Sequence, residues 1–356
     1  MGEDRYARQR AIPRWDQDRL AAATSVVVGV GALGNEVAKN LALLGVGRLV
    51  LCDPDVVAEV NLSRTVLFGP DDVGLPKAGA AAAALRRLVP GVEVLARPHD
   101  LAAGVGLGEL ADADVVLGCL DSRRARLRLL GRCALVEAAL VDGGTHPWGG
   151  EVRVRLDTSA ACFGCSFTPA ERAEADVPAG CDADRLRAPR PASILTTSLV
   201  AAWMTLAAAR LLLDEPLDWR FLGIDAATSA TGPFEVAPDP TCPHHRPIGP
   251  LDPVPVGAHD TVGDLLTVLA PDDQPLSWTR FAVPASCAVC GDPGGPGRAG
   301  GSARCPRCSV PLPGATTQLL RQAPRDAVLG GLGFAPEDVV PVRLGEGGYR
   351  WLRLSR

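Results

Sequence analysis

Lysine is nearly absent from this 356-residue chain: of 36 basic residues two are lysines, Lys39 and Lys77, and the other 34 are arginines. A skew of this kind follows GC-rich coding and is no evidence for RNA binding, but it makes each lysine worth explaining. Positive charge is not in excess either. With 41 acidic residues the net charge is −5, which argues against a dedicated surface for nucleic acid or an anionic membrane. No apolar h-region follows Met1–Arg10 (MGEDRYARQR), so no signal peptide is expected. The longest apolar stretch, Ile194–Leu213, is broken by Thr196, Thr197, Ser198, Thr205 and Arg210 and reads as a buried helix, not a membrane span. No internal repeat is evident. Charged residues at 22% and hydrophobic residues at 47% rule out global disorder. The expectation is a soluble cytoplasmic protein. Cysteine, by contrast, is abundant. Eleven in a reducing compartment point to metal or catalysis, not disulfides.

Proline divides the chain. Twelve of the 31 prolines precede residue 233 and nineteen lie in the last 124 residues. The first part alternates β-branched runs with amphipathic stretches, the pattern of an α/β, Rossmann-like, doubly wound and mostly parallel sheet. Ser25–Val30, Arg48–Cys52, Val92–Leu95 and Asp114–Leu117 read as buried parallel strands. Leu33, Val37, Leu41 and Leu44 recur at helical spacing between the first two. Glu151–Leu156 alternates like an antiparallel addition, and Arg220–Asp225 is a further strand. The expected division is a nucleotide-binding domain over residues 1–248, a Pro-rich linker over 249–258, and a small cysteine-bearing module over 259–356. In the module, Asp260–Leu269 has helical spacing and Tyr349–Leu354 alternates like a strand.

Gly29-Val-Gly31-Ala-Leu-Gly34 follows a predicted strand and opens a predicted helix. Such glycines permit a tight turn and close approach of phosphate to backbone N–H groups at a helix N-terminus. Asp53 ends the next strand, 24 residues after Gly29, where a carboxylate accepts ribose hydroxyls. These features alone fit any nucleotide or dinucleotide enzyme, an NAD-dependent oxidoreductase included.

The residues beyond Asp53 separate these possibilities. The stretches Cys52–Phe68 (CDPDVVAEVNLSRTVLF), Asp71–Ala81 (DDVGLPKAGAA) and Gly118–Arg126 (GCLDSRRAR), with the opening Arg5–Gln9 (RYARQ), resemble the ThiF/MoeB family of adenylyltransferases, which share the fold of ubiquitin-activating enzymes. The resemblance runs from Arg5 to about His245 in order and spacing. It implies that Asp53 is the ribose-binding acid and Asn61 a nucleotide-pocket asparagine. Arg64 and Lys77 would be the phosphate-contacting pair, Asp121 the magnesium-side acid, and Arg8 an arginine inserted across a homodimer. Two departures stand out: Arg64 is followed by Thr65 where the family has glutamine, and Leu75-Pro76 replaces a glycine-lysine lead-in to Lys77.

The implied reaction joins a C-terminal carboxylate, typically the Gly-Gly end of a ubiquitin-like or sulfur-carrier protein, to AMP, using ATP and Mg²⁺ and releasing pyrophosphate. A terminal carboxylate has a pKa of about 3.5 and needs no general base. Its difficulty is to approach a tetra-anionic triphosphate, so the site must supply cations and alignment. A ribosomal peptide would serve as a substrate under the same chemistry. A dehydrogenase would leave Arg64, Lys77 and Asp121 idle, and a catalytically dead scaffold would tolerate their loss. Nothing resembles a rhodanese domain, so a sulfur donor would act in trans.

Cys287-x-x-Cys290 and Cys305-x-x-Cys308, 14 residues apart, have the spacing of a tetrahedral Zn²⁺ ribbon. The Gly- and Pro-rich residues between them cannot form a core, so metal is expected to supply folding energy. Cys162-x-x-Cys165 stands where the family carries a first zinc knuckle. Its partner reads Cys242-Pro-His244-His245, which gives a Cys₃His set with His245, or with His244, as fourth ligand. Cys52, Cys119 and Cys133 read as buried hydrophobes. Cys181 lies in a polar stretch where some family members hold a nucleophile for the acyl-adenylate. Arg185, Arg187 and Arg190 favour its thiolate, and Asp182 and Asp184 oppose it.

Overall fold

The computed structural model describes residues 5–173, 193–283, 287, 289–291, 304–305, 307–310 and 316–355. They form two units, one of residues 1–101 and 110–247, the other of 102–109 and 248–356.

The first unit holds an eight-stranded sheet: β1 (Thr24–Val28), β2 (Arg48–Cys52), β3 (Glu93–Arg97), β4 (Val115–Gly118), β5 (Leu140–His146), β6 (Gly149–Arg155), β7 (Phe221–Asp225) and β8 (Ala230–Pro233). The order is β3-β2-β1-β4-β5-β6-β7-β8, with the first five parallel and the last three added antiparallel. Strands covered on both faces need unbroken apolar runs, and β1, β2 and β4 are buried almost throughout. The helix Ala32–Leu44 follows β1 and buries Leu33, Val37 and Leu41, as its spacing predicts. Ile194–Leu212 is long and apolar enough to cross a membrane, yet Val200, Ala201, Met204, Ala207 and Ala208 are fully buried in the core of this unit. It is buried on one face only, since Leu195, Leu199 and Leu206 are exposed.

β5 was not legible as a strand. Its sequence, Leu-Val-Asp-Gly-Gly-Thr-His, carries glycines demanded by packing: a Cβ on Gly143 would lie 2.1 Å from Met204 Sδ, and one on Gly144 2.5 Å from Arg126 Nη1.

The second unit holds β9 (Leu251–Gly257), β10 (Gln274–Ala282), β11 (Thr316–Leu319), β12 (Val339–Arg343) and β13 (Tyr349–Ser355) in the order β11-β10-β12-β13-β9. Phe281, Leu320, Leu329, Leu332, Val340, Val342, Leu352 and Leu354 form its core. Two expectations change here. Residues 249–258, expected as a Pro-rich linker, contain β9, parallel to β13. Pro253 and Pro255 are tolerated because β9 is an edge strand, where a missing N–H costs no ladder bond on the open side. Residues 102–109 also belong to this unit: Leu107 N–H donates to Asp338 Oδ1 at 3.0 Å and Gly108 N–H to Glu337 O at 2.9 Å. Such long-range partners leave no local sequence signal. The cysteine knuckles form a separate small cluster between β10 and β11, so the module's apolar core does not rest on them.

Candidate active site

In an open parallel sheet the ligand crevice opens beyond the carboxyl ends of the strands, where the order reverses. Here that point is β1 and β4. A cavity of about 460 Å³ lies there, and Gly29, Gly31, Asp53, Asn61, Arg64, Lys77 and Asp121 all line it. The residues singled out along almost a hundred positions of sequence therefore share one pocket.

The loop glycines have different reasons to exist. Gly29 adopts φ +88°, and a Cβ on it would meet Cys119 O at 2.5 Å. A Cβ on Gly34 would overlap Gly29 O at 1.8 Å, so Gly34 seats the helix against the loop and does not itself line the cavity. Gly31 has nothing within 4 Å of its Cβ position among the described residues. It caps the helix Ala32–Leu44 without a side-chain bond and faces the cavity, as a glycine kept for a ligand's approach would.

Asp53 is buried at the end of β2. Its Oδ2 accepts from Val30 N–H at 2.6 Å and its Oδ1 from Asp55 N–H at 2.9 Å. Burial raises its pKa above the ordinary value of 3.8, against the opposing pull of those N–H groups and Lys77. Asn61 closes a turn by accepting from Ala58 N–H at 2.9 Å. Arg64 Nη1 donates to Val60 O at 2.7 Å, which folds its side chain along the same turn. Lys77 opens the helix Lys77–Leu88 and pairs with Asp55 at 2.8 Å.

Several residues escaped the sequence reading. Asp55, Asp100, Arg126, Arg128 and Thr145 also line the cavity. Asn35 is fully buried, and its Oδ1 accepts from Val66 N–H at 3.1 Å and Leu67 N–H at 2.7 Å. It thereby ties the segment carrying Asn61 and Arg64 to the helix after the glycine loop. An asparagine on the polar side of a helical pattern gives no hint of this. Arg8 is exposed on the short helix Ala7–Arg10 and is not among the cavity-lining residues. Cys181 lies outside the described residues. Cys52, Cys119 and Cys133 are buried, and burial pushes the Cys133 thiol up to about 12.

Two clusters have the donor set of a metal site. Sγ of Cys162, Cys165 and Cys242 and Nε2 of His245 lie within 4.8 Å of one another, as do the four sulfurs of Cys287, Cys290, Cys305 and Cys308. A tetrahedral zinc with Zn–S bonds of about 2.3 Å sets sulfurs about 3.8 Å apart. Cys162 Sγ is 3.8 Å from Cys165 Sγ and 3.7 Å from Cys242 Sγ. In the second cluster Cys287–Cys308 and Cys290–Cys305 are 3.5 and 3.4 Å apart. Backbone N–H groups of Cys290 and Val289 pull the Cys287 thiol down to about 6, while the Cys308 thiol is raised. Of the two histidines, His245 faces this cluster: its Nε2 lies 3.1 Å from Cys165 Sγ, and its Nδ1 is 2.8 Å from Thr158 O, which fixes the ring. His244 instead packs on Gly131 and Gly164. Buried Arg155 has Nε and Nη2 without a hydrogen-bond partner among the described residues, and burial lowers its pKa against the opposing pull of Cys133 and Cys162. Both clusters are compatible with zinc.

The family model that matches the chain is the ThiF family, over residues 6–244. The chain belongs to the ThiF family. It is 42% identical over 166 residues to the mouse "Adenylyltransferase and sulfurtransferase MOCS3", a match covering 46% of this chain and only 36% of that protein. It is 34% identical over 255 residues to the "SAMP-activating enzyme E1" of Haloferax volcanii, covering 67% of this chain and 88% of that one. With the "Sulfur carrier protein adenylyltransferase" of Thermus thermophilus it shares 32% over 250 residues, 67% and 89% of the two chains. Among solved structures, E. coli MccB with MccA-N7isoASN superposes with a TM-score of 0.57 at 20% identity, covering 69% of this chain and 76% of that one. That likeness shows the fold.

Proposed function

We propose that this ThiF-family protein is an ATP- and Mg²⁺-dependent adenylyltransferase of the cytoplasm. Its substrate on this reading is the C-terminal glycine carboxylate of a ubiquitin-like or sulfur-carrier protein, activated for thiocarboxylate or thioester formation. The observation that carries the reading is the convergence of Asp53, Asn61, Arg64, Lys77 and Asp121 on one cavity. A dehydrogenase needs only the loop and the acid after β2. The two cations and the second acid are what a triphosphate adds.

Asp53 accepts the ribose hydroxyls, and the loop N–H groups face the phosphates. Lys77 and Arg64 offset the charge that the incoming carboxylate must approach and hold the leaving pyrophosphate in line. The exposed Asp121 suits Mg²⁺, which is bound by one or two carboxylates together with substrate phosphates and supplies charge neutralisation there. Arg8, from a partner subunit of a homodimer, completes the cation set. Zinc in the two clusters is structural. The sulfur donor acts in trans. If Cys181 takes the acyl group, adenylate formation does not depend on it.

ATP–pyrophosphate exchange tests the reading: a Gly-Gly-ended carrier supports exchange and the same carrier lacking its last glycine does not. A ribosomal-peptide arm belongs in the same assay, because a peptide's terminal carboxylate poses the same chemical problem. Exchange with the peptide alone would move the substrate class.

A further inference from the structure

Asp142 lies on β5 directly opposite Arg153 on β6 and is 4% exposed. Its Oδ2 accepts from Arg153 Nη1 at 3.1 Å and from Arg126 Nη1 at 3.4 Å. Gly118 on β4 leaves the room, since a Cβ there would stand 2.7 Å from Asp142 Oδ1. Arg126 is one of the cavity-lining residues, and its Nε donates to Leu120 O at 2.9 Å, so its guanidinium braces the loop carrying Asp121. On the other side, the Arg153 guanidinium sits 4.3 Å from the centroid of Phe163, inside the Cys162–Cys165 knuckle. Phe163 and Phe167 meet edge to face at 4.9 Å, and Arg123, at the start of the helix after Asp121, lies 5.4 Å over Phe167.

We propose that Asp142 is a positioning residue of the nucleotide pocket. It holds Arg126 as a further phosphate-side cation, and it is itself held, through Arg153 and Phe163, by the Cys₃His knuckle. The inference rests on reading the cavity as an ATP site. A guanidinium fixed by a buried carboxylate at Nη1 and a carbonyl at Nε lines the pocket in one orientation, which a free side chain would have to lose entropy to adopt. Asp142 also gives the Cys₃His cluster a task beyond folding: it anchors one wall of the pocket.

Equilibrium binding of ATP and of adenosine to the full-length, zinc-containing protein tests this. Arg126→Met is expected to weaken ATP by about tenfold and leave adenosine unchanged, as loss of a charge-assisted phosphate contact does. Asp142→Asn reproduces most of that loss, and the double variant is no weaker than Arg126→Met alone, the non-additivity of residues acting as a unit. Phe163→Leu keeps its zinc and loses about threefold in ATP affinity, the size of one cation–π contact. ATP binding by Asp142→Asn that matches or exceeds wild type, additive losses, or equal losses for adenosine would overturn the proposal. Failure of the wild-type protein to bind ATP would overturn the functional reading and this inference together; wild-type binding with an indifferent Asp142→Asn overturns this inference alone.

Discussion

Lys77 Nζ lies 2.8 Å from Asp55 Oδ2, and the lysine is 11% exposed while its partner is 66% exposed. The catalytic candidate is thus held in the cavity wall by a carboxylate that faces solvent. A pair of that kind is worth about 0–1 kcal/mol, so an arriving phosphate can replace it. Lys77→Ala is expected to lower ATP–pyrophosphate exchange by about 100-fold or more, whereas Asp55→Ala stays within about threefold, the scale of a surface pair. Steady-state exchange rates check both.

The loop glycines separate folding from binding. Gly29→Ala places a side chain at φ +88° against a carbonyl, and Gly34→Ala overlaps backbone. Each is expected to destabilise by about 1–3 kcal/mol or more in chemical denaturation. Gly31→Ala has open space around it, so it should unfold with wild-type stability and lose ATP affinity. A stable Gly31→Ala protein with unchanged ATP binding would place the phosphates elsewhere.

Asp53 sets a pH dependence with two opposite signs. Because burial raises its pKa, the folded chain holds this proton more tightly than the unfolded chain. Its contribution to stability is therefore fully present below 3.8, the unfolded value, and is lost as pH rises through the folded value. Ribose binding needs the ionised acceptor, so ATP affinity should fall as pH drops through that same folded value. Calorimetric ATP titrations across acid pH should show this midpoint in the wild type, above 3.8, and no such midpoint in Asp53→Asn.

Metal content distinguishes the histidines. Two clusters predict two zinc ions per chain by elemental analysis. His245→Ala or Cys242→Ser should reduce this to one, Cys305→Ser likewise, and His244→Ala should retain both. Loss of zinc on His244→Ala but not on His245→Ala would reverse the ligand assignment.

Arg8 tests the dimer. If it acts across a subunit boundary, Arg8→Ala and Lys77→Ala should each be inactive, and mixing them should restore roughly a quarter to a half of wild-type exchange, because one site of a mixed dimer keeps both residues. No recovery in verified mixed dimers would exclude action across the subunit boundary, and wild-type exchange by Arg8→Ala would remove Arg8 from the site.

Much of this was legible in the sequence because parallel strands covered on both faces must be apolar. β1, β2 and β4 announce themselves, and so do the glycine turn and the carboxylate after β2. The paired cysteine knuckles were legible for the same kind of reason, since metal geometry constrains local spacing. The features that stayed hidden are set by partners distant in sequence. β5 lost its strand pattern to Gly143 and Gly144, which make way for Met204 and Arg126. Asn35 organises residues more than thirty positions away. β9 was masked by prolines that only an edge position tolerates, and residues 102–109 join the second unit through Asp338 and Glu337.

The most direct test of the central claim is pyrophosphate exchange into ATP, run with purified protein, Mg²⁺ and a Gly-Gly-ended carrier. Exchange that appears only with the intact carboxyl terminus and disappears in Lys77→Ala is the predicted result. Exchange that persists in Lys77→Ala, or ATP binding without exchange across Gly-Gly-ended carriers and ribosomal peptides alike, would contradict it.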